Sequence, residues 1–217
     1  GDNAIYQGTD NDTLFVTAPP FTLDNNSYRV VISGDCGTPV TSETVELIVY
    51  KSPEITLQPA DTATCELNNV SFTIETGDTD NPMIQWYEND GSGMTAITNG
   101  GSYIGATSAT LQVFGVDSAM TGYSYEARVT NACGGPVASD VATLTVFAAP
   151  NIWAQPENST ICEGDTTFME VTATGTDLDF EWYVDDGTGG VLISDDAVYS
   201  GQGTARLDIR GADRNYD

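Results

Sequence analysis

Histidine is absent from the 217 residues, and lysine and arginine together number only 6. The first absence removes the commonest general base and the commonest metal ligand at neutral pH. The second excludes a nucleic-acid or anionic-lipid surface, because phosphate contacts need basic side chains in number. No apolar run approaches the length a membrane span requires, so no membrane insertion is expected. The chain shows no signal peptide or lipid anchor, and its abrupt ends, "GDNAIYQG" and "RNYD", read as those of an excerpt from something longer. Catalytic signatures are also missing: there is no G-x-S-x-G, no phosphate-binding glycine loop, and no nucleophile beside a base. No catalytic residue, no resident metal and no cofactor are expected, and the chain does not read as an enzyme.

Acid is what the sequence has in excess. Asp and Glu number 32 and the net charge is −26, yet 40% of the residues are hydrophobic. Charge of this order can keep a chain disordered, but regular apolar periodicity argues for a folded, highly soluble protein. Like-charged copies also repel one another unless cations bridge them.

The sequence repeats itself. "NPMIQWYENDGSG" carries Trp86 and "LDFEWYVDDGTGG" carries Trp182, 96 positions on. "ITLQPADTATCEL" around Cys65 returns as "IWAQPENSTICEG" around Cys162, and "GDCGTPVTSETVELIV" around Cys36 returns as "NACGGPVASDVATLTV" around Cys133, each 97 apart. "YQGTDNDTL", "YIGATSATL" and "YSGQGTARL" give three copies of one Y-x-G motif, from Tyr6, Tyr103 and Tyr199. The expected organisation is therefore the back part of one repeat over 1–52, a whole repeat over 53–149, and the front part of a third over 150–217. The linkers "YKSPE" and "FAAPN" are short and carry proline, so a semi-rigid array is expected.

The whole repeat reads as strands throughout. Val70, Phe72 and Ile74 alternate with polar residues, as do Tyr125, Ala127 and Val129, and Ala142, Leu144 and Val146. That period of two marks half-buried strands. "NDGSG" after "MIQWYE" has the composition of a hairpin turn. About seven short strands in some 95 residues predict an all-β fold of tandem immunoglobulin-like sandwiches.

Trp86 matches the core tryptophan of the immunoglobulin pattern and Tyr123 its tyrosine corner. Phe72 or Ile74, with Tyr125, stand where that pattern has its inter-sheet cysteines, and Asn26 stands at the corner position of the first repeat. With its "T-C-E", "A-C-G" and "Y-x-G-x-x-x-x-x-L" motifs, the whole chain resembles the tandem immunoglobulin-like repeats of large Bacteroidota surface proteins. These include gliding-motility adhesins and other substrates of type IX secretion. The resemblance implies an extracellular, cell-surface location and a structural role in a filament or adhesin stalk. The partners it implies are neighbouring repeats, with surface glycans or other filament subunits as further ones. A glycan- or protein-binding module is the alternative reading, and an accessory array on a secreted carbohydrate-active enzyme is a third.

In that extracellular setting Cys36, Cys65, Cys133 and Cys162 are expected in disulfides. Cys65 precedes one strand and Cys133 follows another at the opposite end of the repeat, roughly 25 Å away over seven or eight residues. A disulfide needs Cα atoms within about 7 Å. Pairing between adjacent repeats is therefore favoured, with Cys65–Cys133 pairing the runner-up. Asp-Thr/Ser tripeptides at Thr13, Thr62, Ser118 and Thr166 match the O-glycosylation motif that the resemblance brings. Sequons at Asn11, Asn25, Asn69 and Asn158 would matter only in another host. Asp78, Asp80, Asp90, Asp185 and Asp186 cluster in turns, where solvated acid and at most weak Ca²⁺ binding are expected, since no ligand spacing is present. Trp86 and Trp182 read as core rather than as a sugar platform, while Trp153 reads as a residue near a joint.

Overall fold

A computed structural model describes residues 1–211. It is all β, with two short 3₁₀ turns (Phe21–Leu23 and Ser118–Met120) and no α-helix among the described residues. The first stretch holds β1 (Tyr6–Gln7), β2 (Phe15–Val16), β3 (Asn26–Tyr28), β4 (Val31–Ile32), β5 (Val40–Thr41) and β6 (Val45–Leu47). Next come β7 (Thr62–Cys65), β8 (Val70–Thr73), β9 (Met83–Asn89), β10 (Met94–Ala96), β11 (Tyr103–Ile104), β12 (Thr110–Val113), β13 (Ser124–Asn131), β14 (Gly134–Ala138) and β15 (Ala142–Phe147). The last are β16 (Asn151–Ala154), β17 (Thr167–Glu170), β18 (Thr172–Thr174), β19 (Tyr183–Val184), β20 (Val191–Leu192), β21 (Tyr199–Ser200) and β22 (Arg206–Ile209). Residues 212–217, the end of the third predicted stretch, lie outside the described residues.

Contacts divide the chain into two compact units. The first comprises Gly1–Ala60, Ser71–Gln112 and Ser124–Thr143. Its spine is β13, whose seven paired positions run antiparallel along β9 from Ser124↔Asn89 to Thr130↔Met83. The alternation that predicted these strands places Phe72, Ile74, Trp86, Leu111, Tyr125, Ala127 and Val129 in the interior, and Trp86 is 0% exposed. Its indole N–H donates to the Ser108 carbonyl at 2.8 Å, so the one polar atom of the ring is satisfied as it is buried. Phe72 stacks on Tyr125 with ring centroids 4.5 Å apart. Aromatic packing thus fills the positions where the immunoglobulin pattern has cysteines.

The second unit comprises Asp61–Val70, Val113–Tyr123 and Leu144 onward. Here β7 pairs in parallel with the end of β15, from Leu144↔Thr62 to Phe147↔Cys65. Val113, Val116, Leu144, Val146 and Leu207 are buried. β17 and β22 pair from Thr167↔Ile209 to Glu170↔Arg206.

The repeat is visible in hydrogen bonds as well as letters. Ile97 N–H donates to the Trp86 carbonyl and Ile193 N–H to that of Trp182. A side chain two residues into each copy of one turn ties down a backbone amide seven residues on: Asp2 to Thr9, Asn99 to Ala106 and Asp195 to Gln202. Backbone and side-chain bonds from Thr9 hold the Asp2 carboxyl below its usual value. The Y-x-G glycines, Gly8, Gly105 and Gly201, all adopt positive φ (80°, 84° and 92°). In each, a Cβ would collide with a backbone carbonyl five residues further on, that of Thr13, Thr110 or Arg206. The motif is therefore the price of one tight turn made three times.

The two tryptophans differ. Trp182 keeps its N–H bond, to the Thr204 carbonyl at 2.9 Å, but its side chain is only half-buried. The expectation of an enclosed indole holds at Trp86 and is corrected at Trp182. The reason is local: β9 spans seven residues with β13 along its side, whereas β19 spans two and, among the described residues, pairs only with β20.

Candidate functional site

Side-chain and backbone hydrogen bonds hold both linkers. In the first unit, Lys51 N–H donates to Asp80 Oδ2 at 2.7 Å, and its ammonium reaches Asp78 at 2.9 Å while lying 4.4 Å from the Phe21 ring centre. Asn131, buried, donates its amide to the Lys51 carbonyl at 2.6 Å and to that of Asp80 at 3.1 Å. Glu54 N–H donates to Thr79 Oγ1. The linker is thereby held through its backbone, on both donor and acceptor sides. In the second unit the equivalent linker is held the same way. Ala148 N–H donates to Thr176 Oγ1 at 2.9 Å, Thr176 N–H returns a bond to the Ala148 carbonyl, and Ala149 N–H donates to Glu66. Lys51 and Ala148 are 97 apart, and Asp80 and Thr176 are 96 apart.

Composition singled out Asp78 and Asp80 only as acid in a turn; their role became clear once the fold brought Lys51 against them. Asp80→Ala removes a charge-assisted bond worth about 1.5–3 kcal/mol. It is expected to raise the amide exchange rate at Lys51 by about tenfold or more, read by hydrogen exchange, while the β13 amides keep their protection.

The Lys51 ammonium holds the Asp78 carboxyl below its ordinary value of 3.8. A depressed folded pKa stabilises the pair above the unfolded value and loses that contribution as pH falls through the folded one. Joint pairing is therefore expected to be complete at neutral pH and to fail only below about pH 3.8. In Lys51→Met, an NMR titration should return Asp78 to the ordinary range.

The hairpin aspartates serve their own turns. Asp90 accepts from Ser92 N–H at 3.0 Å and Ser92 Oγ at 2.6 Å, and Asp186 does the same with Thr188. In each pair the side-chain hydroxyl is the main cause of a lowered carboxyl pKa. Asp185 accepts from Gly187 and Gly189 N–H, as Asn89 does from Gly91 and Gly93. Among the described residues no group of three or more acids, cysteines or histidines is placed to hold a metal ion.

All four cysteines are exposed and free among the described residues. Cys133 lies in the β13–β14 hairpin with its thiol 3.2 Å from the Tyr50 carbonyl, against the linker that precedes its repeat. Cys65 ends β7 opposite Phe147, beside the Glu66 that holds the following linker. Cys36 lies in the turn between β4 and β5, and the Cys162 carbonyl accepts from Asp165 N–H. Thr13, Ser118 and Thr166 are exposed, whereas Thr62 is half-buried within β7. Trp153 is 73% exposed and donates to Thr174 Oγ1. Among the described residues no helix is long and apolar enough to cross a membrane.

No protein-family model matches the chain, and no curated protein sequence does. Solved structures do. The I-band fragment I67-I69 from titin aligns at 20% identity over 77% of this chain and 58% of that one, with a TM-score of 0.59. Sidekick-1 immunoglobulin domains 1-5 align at 18% identity over 99% of this chain and 46% of that one, with a TM-score of 0.55. Drosophila OTK extracellular domains 3-5 align at 18% identity over 99% and 71%, with a TM-score of 0.50. The chain thus spans about half of the Sidekick segment and somewhat more of the titin fragment. At these identities the likeness concerns the fold: all-β, tandem immunoglobulin-like domains.

Proposed function

We propose that the chain is a structural segment of a long extracellular filament or adhesin stalk on a bacterial surface, of the Bacteroidota gliding-adhesin type, and that it carries out no catalysis. Its repeats are those read over 1–52, 53–149 and 150–217. The observation that carries this reading is the linker geometry. Both linkers are bound to the repeats through backbone hydrogen bonds at equivalent positions, which is what a tether needs if neighbours are not to swing freely. The OTK relative is a set of extracellular domains, which supports an extracellular setting for these repeats.

In that setting Cys133 and Cys65, each beside a linker, staple to cysteines of the adjacent repeats. Exposed Thr13, Ser118 and Thr166 accept glycans. The test is mechanical. Pulling the chain from its two ends should give a discrete unfolding step that releases a contour length on the order of 300 Å for the whole repeat. Smooth extension with no such step would remove this reading.

A further inference from the structure

We propose that the outer face formed by β16, β17, β18 and β22 binds a neutral oligosaccharide, with the Trp153 indole as the platform for one sugar ring. This goes beyond the stalk reading, and the pulling step would survive if no sugar bound.

The backbone builds the position. Pairing of β16 with β18 slips between Ile152 and Ala154, so Trp153 is the extra residue of a β-bulge, a feature that re-aims a side chain. The central stretch makes the same irregularity at Thr56, where the N–H groups of Thr56 and Leu57 both donate to the Glu75 carbonyl. Thr56 is exposed there, although β7 to β15 give that stretch both of its sheets. The 73% exposure of Trp153 therefore belongs to the bulge position itself. The ring is also fixed by one edge, since its N–H donates to Thr174 Oγ1 at 3.1 Å.

Its surroundings differ from the central stretch on the same face. Phe168, Glu170, Thr172 and Thr174 alternate outward along β17 and β18, all exposed. Shifted by the repeat, Trp153 stands in place of Thr56, Phe168 in place of Ser71 and Arg206 in place of Thr110. In the central stretch this face is polar, with the Thr73 and Thr110 hydroxyls bonded at 3.0 Å, and Ser71 is exposed. Here Glu170 lies opposite Arg206, whose guanidinium sits 3.8 Å from the Phe168 ring centre. Two aromatic rings thus mark an outer face that the central stretch leaves to hydroxyl groups.

The chemistry selects the ligand. The indole face is the negative side of a quadrupole and takes the weakly positive C–H face of a pyranose ring. Thr172 and Thr174 offer hydroxyls beside it for those of the sugar. A net charge of −26 repels an acidic glycan, and Arg206 is already held by Asp208 at 2.8 Å. A basic peptide would need carboxylates at the indole, where β18 presents threonines instead. Phe168 and Thr174 are six residues apart, roughly 20 Å of strand, which is room for several sugar rings in a row.

Tryptophan fluorescence against neutral hexasaccharides of glucose, xylose, mannose and N-acetylglucosamine tests this, with hexalysine and an oligogalacturonate alongside. At least one neutral hexasaccharide should bind saturably and shift emission to the blue. That binding should be indifferent to about 0.5 M salt, which would weaken a charge-driven complex. Trp153→Ala should weaken it about tenfold and remove the shift, with an unchanged circular dichroism spectrum because the ring is exposed. Trp182→Phe should keep both binding and shift. Binding that survives Trp153→Ala, a shift lost instead in Trp182→Phe, a response to hexalysine or oligogalacturonate alone, or silence across the panel overturns the proposal.

Discussion

Replacing Trp86 by alanine is expected to destabilise the whole repeat by about 3–5 kcal/mol, a large share of the stability a small domain has. The ring is 0% exposed, packed in the unit that also buries Phe72, Tyr125 and Ala127. Truncation leaves a cavity and strips the Ser108 carbonyl of its donor. Trp86→Phe separates the two effects: most of the apolar volume stays and the hydrogen bond goes, so a loss nearer 1–2 kcal/mol is expected. Trp182→Ala, at a half-buried ring, should cost clearly less than Trp86→Ala. Urea melts of the three variants by circular dichroism give the order, and equal losses at Trp86 and Trp182 would contradict the burial difference.

The second large effect belongs to Gly105. Its φ of 84° lies where a Cβ is unfavourable, and a Cβ added there would fall on the Thr110 carbonyl. Gly105→Ala therefore meets a backbone clash that no rotamer can relieve, and about 3 kcal/mol of destabilisation is expected. Gly91→Ala is the control. Its φ is also positive, at 103°, but nothing lies within contact distance of a Cβ there, so only the conformational part of the cost should appear. A thermal melt that moves equally for both would show that the close approach contributes nothing.

These two residues illustrate what could be read from letters alone. Trp86 was legible because its Q-W-Y context matches the core tryptophan of the immunoglobulin pattern, and Gly105 because its motif recurs three times. Period and strand pattern together carried the all-β, tandem immunoglobulin-like fold. The lock around Lys51 was not legible, since its partners lie 27 to 80 residues away and only folding brings Asp78, Asp80 and Asn131 to one linker. The half-exposure of Trp182 agrees with the repeat reading, in which 150–217 holds only the front part of a repeat: its motif is as good as that of Trp86, but among the described residues no counterpart of β13 lies beside β19. Composition suggested acid in solvated turns, and Asp90 and Asp186 do sit in exposed turns, yet each is spent on two hydrogen bonds within its own hairpin.

The parallel pairing of β7 with the end of β15 has a directional consequence. The chain enters the repeat shortly before β7 and leaves it just after β15, so tension at the two linkers draws these neighbours past each other along their length. Four residue pairs, from Leu144↔Thr62 to Phe147↔Cys65, then resist sliding together. An antiparallel hairpin pulled from its open end would instead unzip one rung at a time. The orientation of one short strand turns ordinary amide bonds into a shear clamp.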